Sequence, residues 1–428
     1  MTESIQVSAL ARVEGEGGLY IGVEQGQISE VKLNIYEPPR FFEGFLRGRY
    51  LQEVPDITAH ICGICPVAYQ MSSVRALEAA LRVTVTPAIR QLRRLFYCAE
   101  YIESHALHIY MLQAPDLLGH DSALSLAAEA PEVVQNALRL KKIGNHLLAA
   151  IGGRSVHPVN TRVGGFYSWP KADKLAALEP EMAWALAFSQ ETVRWAADLP
   201  YPELEVEYEF VAQHHPDEYA FLEGDILNSA GELSPEADFD SLYLEKQVQH
   251  STALHSHTPH GKPYLVGPLA RFNLNFKQLG EAARASAAEI DLAPPLLNPY
   301  KSLLARAIEL VEVTDEAMRI LRQFRPEGES FVDFDLKPGE GGAVSEAPRG
   351  LLYHRYRLDG QGKIEFARIM PPTAQNLARI EADLWQLGPQ ILSKPQAEAT
   401  LLCEELIRAY DPCISCSVHF LTLKIDRR

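Results

Sequence analysis

Two C-x-x-C pairs, one near each end of the chain, constrain its fold more than any other feature. Cys62-Gly63-Ile64-Cys65 follows His60-Ile61. Cys413-Ile414-Ser415-Cys416 follows Asp411-Pro412 and precedes Ser417-Val418-His419. This spacing lets a tight turn aim two thiolates at one point. Two such pairs make a four-sulfur site for zinc, an iron–sulfur cluster or another soft metal centre. A site built from both ends closes only after nearly the whole chain has folded. With no internal repeat, low-complexity linker or clean boundary between the pairs, residues 1–428 are expected to form a single domain.

Composition narrows the function class. A net charge of −16 with no offsetting basic stripe argues against a general binder of nucleic acid or anionic membranes. No apolar run approaches the length of a membrane span, and Met1-Thr2-Glu3-Ser4 lacks the basic and apolar regions of a signal peptide. Six cysteines are too few for a disulfide scaffold in a chain this long. Four are paired at ligand spacing, while Cys98 and Cys403 stand alone in helical stretches and read as core residues. The expectation is a cytoplasmic, reduced, metal-bearing protein.

Periodicity predicts an α+β, mainly α fold: a large helical core with small peripheral sheets. Residues 5–35 read as strands, interrupted by Arg12-Val13-Glu14-Gly15-Glu16-Gly17-Gly18. On chemistry alone, Arg12 and Glu14 at this glycine-rich turn make a local salt bridge. Glu43 sits beside Phe41 and Phe42, where a free carboxylate is costly unless paired or bound to a cation. Pro66 suits the first turn of a helix that would place Cys65 at its N-terminus, where the dipole favours a thiolate. Apolar spacing predicts a long helix from Ile89 to Leu112, with His105 and His108 as buried structural histidines. Residues 201–263 read as irregular with strand fragments. Their histidines (His214, His215, His250, His255, His257, His260) are too scattered to read as a ligand set. Ser345 to Gly350 opens a hairpin whose strands, 351–358 and 363–370, flank the turn sequence Asp359-Gly360-Gln361-Gly362. Residues 371–376 close it, and helices follow to Tyr410.

With these stations in order, the chain resembles the large subunit of a nickel–iron hydrogenase over essentially its whole length. D-P-C-x-x-C-x-x-H at 411–419 carries most of the resemblance, supported by C-G-x-C at 62–65 and R-V-E-G at 12–15. Arg40-Phe41-Phe42-Glu43 and Cys65-Pro66-Val67-Ala68-Tyr69 make it similar to the cytoplasmic, bidirectional, NAD(P)-linked sulfhydrogenase kind. Two positions depart from the family pattern: His60 stands where Arg is usual, and Tyr69 where His is usual.

The resemblance implies roles at matching positions. Cys62 and Cys413 would bind nickel terminally, and Cys65 and Cys416 would bridge it to an iron carrying carbon monoxide and two cyanides. Arg349, after Pro348, would stand over the open metal position and donate to one cyanide, with Pro372 and Thr373 around the other. Leu352 would line the apolar pocket of the carbonyl ligand. Asp411 would pair with Arg349, and Glu14 would relay protons from Cys413. Glu43, His419 and the carbonyl of Ile369 would hold magnesium or a similar hard ion. Electrons would leave through an iron–sulfur small subunit, and onward through further iron–sulfur subunits and a flavin-dependent NAD(P) reductase. A maturation chaperone and a protease are implied as well, the protease cleaving between His419 and Phe420 so that residues 420–428 are removed. Two alternatives stay open at this point. One is a structural or coupling subunit like the quinone-site relatives in respiratory complex I, which lack the cysteine pairs. The other is a zinc-stapled helical protein.

Overall fold

A computed structural model describes residues 3–418; His419 and the segment 420–428 lie outside the described residues. The N-terminal strands form an antiparallel sheet of β1 (Glu3–Val7), β2 (Gly17–Glu24) and β3 (Gln27–Ile35), in that order. Leu19 and Ile21 on β2, with Leu33 and Ile35 on β3, turn inward as period-2 alternation requires. A short helix, α1 (Phe42–Leu46), then delivers Glu43.

Helix α2 (Pro66–Leu81) starts with Cys65 as its N-cap and Pro66 in its first turn, as the sequence predicts. Helix α3 (Pro87–Leu107) is capped by Thr86, whose side chain accepts the Ile89 N–H, and is buried along nearly its whole length. Its helical register ends earlier than periodicity suggests. Residues His108–Gln113 continue as a π-helical turn, and the side-chain amide of Gln113 donates to the Tyr300 carbonyl. Helices α4 (Pro131–Gly152) and α6 (Ser302–Gln323) pack on α3, and α5 (Glu179–Ala197) packs on α6. Between α5 and α6 the chain makes the small two-stranded ribbon of β4 (Leu244–Lys246) and β5 (His255–His257). No helix among the described residues is long and apolar enough to cross a membrane.

The predicted hairpin is present as β7 (Gly350–Leu358) and β8 (Ile364–Met370), but a third strand, β6 (Gly339–Ala347), pairs with β7 along its whole length. The glycine run that hides this strand in the sequence is what the packing requires. Strand β6 lies against α2 so closely that a Cβ at Gly339 or Gly341 would sit 2.2 or 2.3 Å from the Ala80 backbone. Residues 371–376 do not form a closing turn: α7 (Pro372–Gln386) begins at Pro372 itself. Helix α8 (Gln396–Ala409) then leads to the second cysteine pair.

The helical core holds many charges, and several of them are paired. Arg93 forms a two-pronged pair with Glu78 (2.8 and 2.6 Å). Arg271 binds Glu309 (2.6 and 2.8 Å) and Glu346 (2.9 Å). Such pairs add little net stability over apolar packing, but removing one partner strands a buried charge. His105 and His108 are the buried structural histidines expected. The His105 Nε2–H donates to Glu309 Oε2 at 2.7 Å, and His108 Nε2 lies 2.8 Å from the Arg408 carbonyl. Burial lowers them to about 4 and about 3, which keeps both neutral.

Candidate metal centre

The two cysteine pairs meet. Cys62 Sγ lies 2.9 Å from Cys65 Sγ and 3.7 Å from Cys413 Sγ, and all four paired cysteines are at most 3% exposed. The turn before α2 aims the backbone N–H groups of Ile64 and Cys65 at Cys62 Sγ, at 3.4 and 3.2 Å. The next free amides of the helix N-terminus, Val67 and Ala68, donate to the Glu100 carboxyl on α3 at 2.6 and 3.1 Å. The sulfurs of Cys413 and Cys416 are in contact, with Cα atoms 5.4 Å apart, so that as thiolates both can face one metal.

The C-terminal pair is held by remote segments. Ile414 N–H donates to the Glu14 carbonyl (2.8 Å), making a parallel bridge between Glu14 and Cys413. The Glu14 carboxylate then lies 3.0 Å from Cys413 Sγ and accepts the Ser415 N–H at 3.1 Å. Gly15 permits this approach: it has φ +88°, and a Cβ there would stand 2.8 Å from both Ile414 Cβ and Ser415 N. Arg12 does not pair with Glu14, as chemistry alone suggested. It reaches across to Asp116, which also holds Arg408, and this leaves Glu14 to the sulfur. Thr373 Oγ1, in the first turn of α7, accepts the Cys413 N–H at 2.9 Å and keeps its own proton as a donor.

Asp411 turns the chain into this loop with φ +54°, a left-handed conformation that Asp tolerates better than most residues. Arg349 holds it through Nε to the Asp411 carbonyl (2.9 Å) and Nη2 to Oδ1 (3.0 Å). Burial alone would raise Asp411, but the charges of Arg349 and Arg306 bring it below the usual carboxylate range. Arg349 therefore stays cationic although buried. Its charge, with the hydrogen bonds from Cys65, lowers the Cys62 thiol in spite of burial, while Cys65 is held well above the usual thiol range by its bond to Cys62 and by burial.

Arg40 is a residue whose part the sequence did not show. Its guanidinium donates to the carbonyls of His60 (2.9 Å), Ile61 (2.9 Å) and Ser415 (3.2 Å), and so ties both cysteine segments together. It was visible only as the start of Arg40-Phe41-Phe42-Glu43, with nothing to indicate its acceptors. Of the two departures from the family pattern, His60 stacks on His157 at 4.3 Å between ring centres, and Tyr69 is fully buried one helical turn after Cys65. The hard-ion residues come together in part. Glu43 Oε1 accepts the N–H of Ile369 at 2.8 Å, and desolvation pushes the Glu43 carboxyl up to about 7, although Ile369, Arg368 and Arg47 pull it down. His419, the third member, lies outside the described residues. Leu352 is buried, and the carbonyl of Pro348 accepts from Arg271 at 2.9 Å.

The donor set fits a soft metal centre larger than a lone zinc. The sulfurs of Cys62, Cys413 and Cys416 lie within 4.8 Å of one another, with Cys65 Sγ 2.9 Å from Cys62, and three buried polar atoms around them, Arg349 Nη1, Asp411 Oδ2 and Tyr69 Oη, lack a hydrogen-bond partner among the described residues. Buried polar atoms are seldom left so, which marks room for polar ligands that the protein itself does not supply.

The family model described as nickel-dependent hydrogenase matches residues 40–140 and 228–419. Sulfhydrogenase 1 subunit alpha of Pyrococcus furiosus is 34% identical over 98% of each chain. Sulfhydrogenase 2 subunit alpha of the same organism is 34% identical over 98% of this chain and 100% of its own. The solved NAD+-reducing [NiFe]-hydrogenase in its H2-reduced state superposes with a TM-score of 0.88 at 24% identity, covering 97% of this chain and 99% of that one. The chain belongs to the nickel-dependent hydrogenase family and has the fold of a nickel–iron hydrogenase large subunit.

Proposed function

We propose that this chain is the catalytic subunit of a heteromeric nickel–iron hydrogenase in which Glu14 carries protons to and from Cys413. One observation carries the proton route: a carboxylate oxygen 3.0 Å from Cys413 Sγ, held there by the Glu14–Cys413 backbone bridge. Cys62, Cys65, Cys413 and Cys416 would hold nickel and iron. When bound, the metals supply the Lewis-acid and redox chemistry that splits H2 into protons and electrons.

The chain's own residues do the rest. Cys413 is a base at the metal, and Glu14 lies within hydrogen-bond reach to take the proton from its sulfur and release it toward the surface. Arg349, fixed by Asp411, supplies a permanent positive charge in a site shut to water, where it acts more strongly than in solvent. Its Nη1, without a partner among the described residues, and the Thr373 hydroxyl would donate to the cyanides of the iron, and Pro348, Pro372 and Leu352 would line the place of its diatomic ligands. Glu43, the Ile369 carbonyl and His419 would hold magnesium, and the desolvation of Glu43 supports a cation there.

Electrons need a further carrier. Beyond the two pairs, only Cys98 and Cys403 remain, both buried and single. An iron–sulfur small subunit is the expected partner, with a flavin and NAD(P) reductase module beyond it, as the NAD+-reducing relative suggests. Maturation in the cytoplasm would end with the protease cut after His419, which closes the site once nickel is loaded. Replacing Glu14 by Gln tests the proton route. The amide is nearly isosteric but cannot take up and release the proton. Nickel and iron content should stay unchanged while D2/H+ exchange and H2 oxidation fall about 10²–10⁴-fold. Exchange at the wild-type rate would refute the route through Glu14.

A further inference from the structure

Away from the sulfur site, a second set of metal-ligating side chains converges: His250, His255 and Glu381 place one donor atom each within 4.8 Å of the others. They come from three places. His250 lies in the loop between β4 and β5, His255 is the first residue of β5, and Glu381 projects from α7. His250 Nε2 lies 2.7 Å from Glu381 Oε1, and His255 Nδ1 lies 3.7 Å from Glu381 Oε2. A tetrahedral ion with ligands at ~2.0–2.1 Å holds its donors roughly 3.3 Å apart, so small side-chain rotations would seat one.

Four further features distinguish this cluster from an ordinary ion pair. His255 is 2% exposed, and its Nε2 has no hydrogen-bond partner among the described residues, while its Nδ1 is beyond hydrogen-bond range of Glu381. A buried imidazole left in this state is costly unless something uses a ring nitrogen. Burial, with the charges of His250 and His257, lowers it to about 3, so it stays in the neutral form that a metal binds. Glu381 Oε1 also accepts the Leu33 N–H from β3 at 2.8 Å, which fixes the carboxylate from behind. His250 and Glu381 keep part of their surface, leaving a way in and a position for water as a fourth ligand.

We propose that His250, His255 and Glu381 form a second metal site, for a divalent ion of the zinc class, on the flank of α7. Two imidazoles and one carboxylate suit zinc rather than magnesium or calcium, which take oxygen donors, or a copper(I) or iron–sulfur centre, which takes sulfur. The ion pins the β4–β5 ribbon and β3 to the helix that begins at Pro372 and offers Thr373 to Cys413. Glu381 stands eight residues along that helix, about 12 Å from Thr373, so the second ion braces the helix without touching the sulfur site. The five-residue spacing of His250 and His255 gave no sign of this, because the third ligand comes from a helix more than a hundred residues later.

The test uses the complete heteromeric enzyme, dialysed against a chelator and reloaded with zinc chloride, read at the zinc X-ray absorption edge, where nickel and iron are silent. The expected result is one retained zinc per chain, with nitrogen and oxygen ligands at about 2.0–2.1 Å. His250→Gln and Glu381→Gln should each weaken zinc retention tenfold or more, while nickel content stays at the wild-type level and reports an intact fold. Both side chains are partly exposed, so either variant decides the matter if the other fails to accumulate. The proposal is overturned if the wild-type enzyme retains no zinc, if the zinc has sulfur neighbours at about 2.3 Å, or if neither substitution changes its retention.

Discussion

The two cysteine pairs share one sequence pattern but are built in different ways. Cys62 and Cys65 belong to a local structure: a turn ending in a proline-started helix, whose own amides point at Cys62 and whose first free N–H groups are taken by Glu100. Cys413 and Cys416 have only a short 3-10 turn, Ser415–Ser417, and owe their position to Glu14, Arg40, Arg349 and Thr373. The first pair is therefore defined once α2 packs on α3, whereas the second needs the N-terminal sheet, β7 and α7 in place. A site assembled in this order leaves the C-terminal thiols accessible until last, which suits metal loading before closure.

The sharpest way to break the comparison is to remove a sulfur from each side. Cys62→Ser and Cys413→Ser should both abolish H2-dependent dye reduction, because a hydroxyl replaces a soft thiolate ligand. Nickel content per chain checks it. Full activity with nickel bound in either variant would show that the altered pair is not part of the centre.

Single hydrogen bonds should separate the two modes of construction. Thr373→Val leaves the Cys413 N–H buried without an acceptor, at a cost of ~1–3 kcal/mol placed on the remote-built pair. Turnover per bound nickel should fall about tenfold, the factor that corresponds to ~1.4 kcal/mol. Glu100→Gln turns an amide donor toward the Val67 or Ala68 N–H at a similar cost, but at the base of a helix that its own packing maintains. It should lower the denaturant midpoint and leave turnover per nickel nearly unchanged. The reverse ranking, measured on both variants, would mean that the local pair is the more delicate one.

A pH-dependent effect, with no change expected at neutral pH, lies in the core behind the site. His108 has a folded pKa of about 3, held down by burial and then by the Arg306 charge, against an ordinary value of 6.5. Because the folded value is depressed, the stability gained by keeping the ring neutral is present in full above pH 6.5. It is lost as pH falls from 6.5 toward 3, at about 1.4 kcal/mol per pH unit. His108→Gln can still donate to the Arg408 carbonyl but does not titrate. Its stability should fall less steeply with acid than the wild type over this window, as denaturant titrations at successive pH values will show.

What could be read in the sequence were features whose physics is local or whose chemistry is rare. The C-x-x-C pairs, Pro66 opening α2, and the β7–β8 hairpin around Asp359 to Gly362 all depend on neighbours within a few residues. Features set by contact between distant segments were hidden. Gly339 and Gly341 look like loop because their reason is the backbone of α2. Arg12 looks like a partner for Glu14 because Asp116 is a hundred residues away, and Arg40 shows no acceptors at all. His250 and His255 look unrelated to any site because Glu381 completes them only in the fold. Cleavage of the tail and the role of His419 concern residues outside those described, and an intact mass of the active subunit tests them.

The central claim is that both pairs hold one nickel-containing centre. Nickel K-edge absorption on the active, purified enzyme measures it directly. The account predicts stoichiometric nickel surrounded by sulfur donors, with an iron scatterer beyond them. Zinc in place of nickel, or nickel held by nitrogen and oxygen ligands alone, would contradict it.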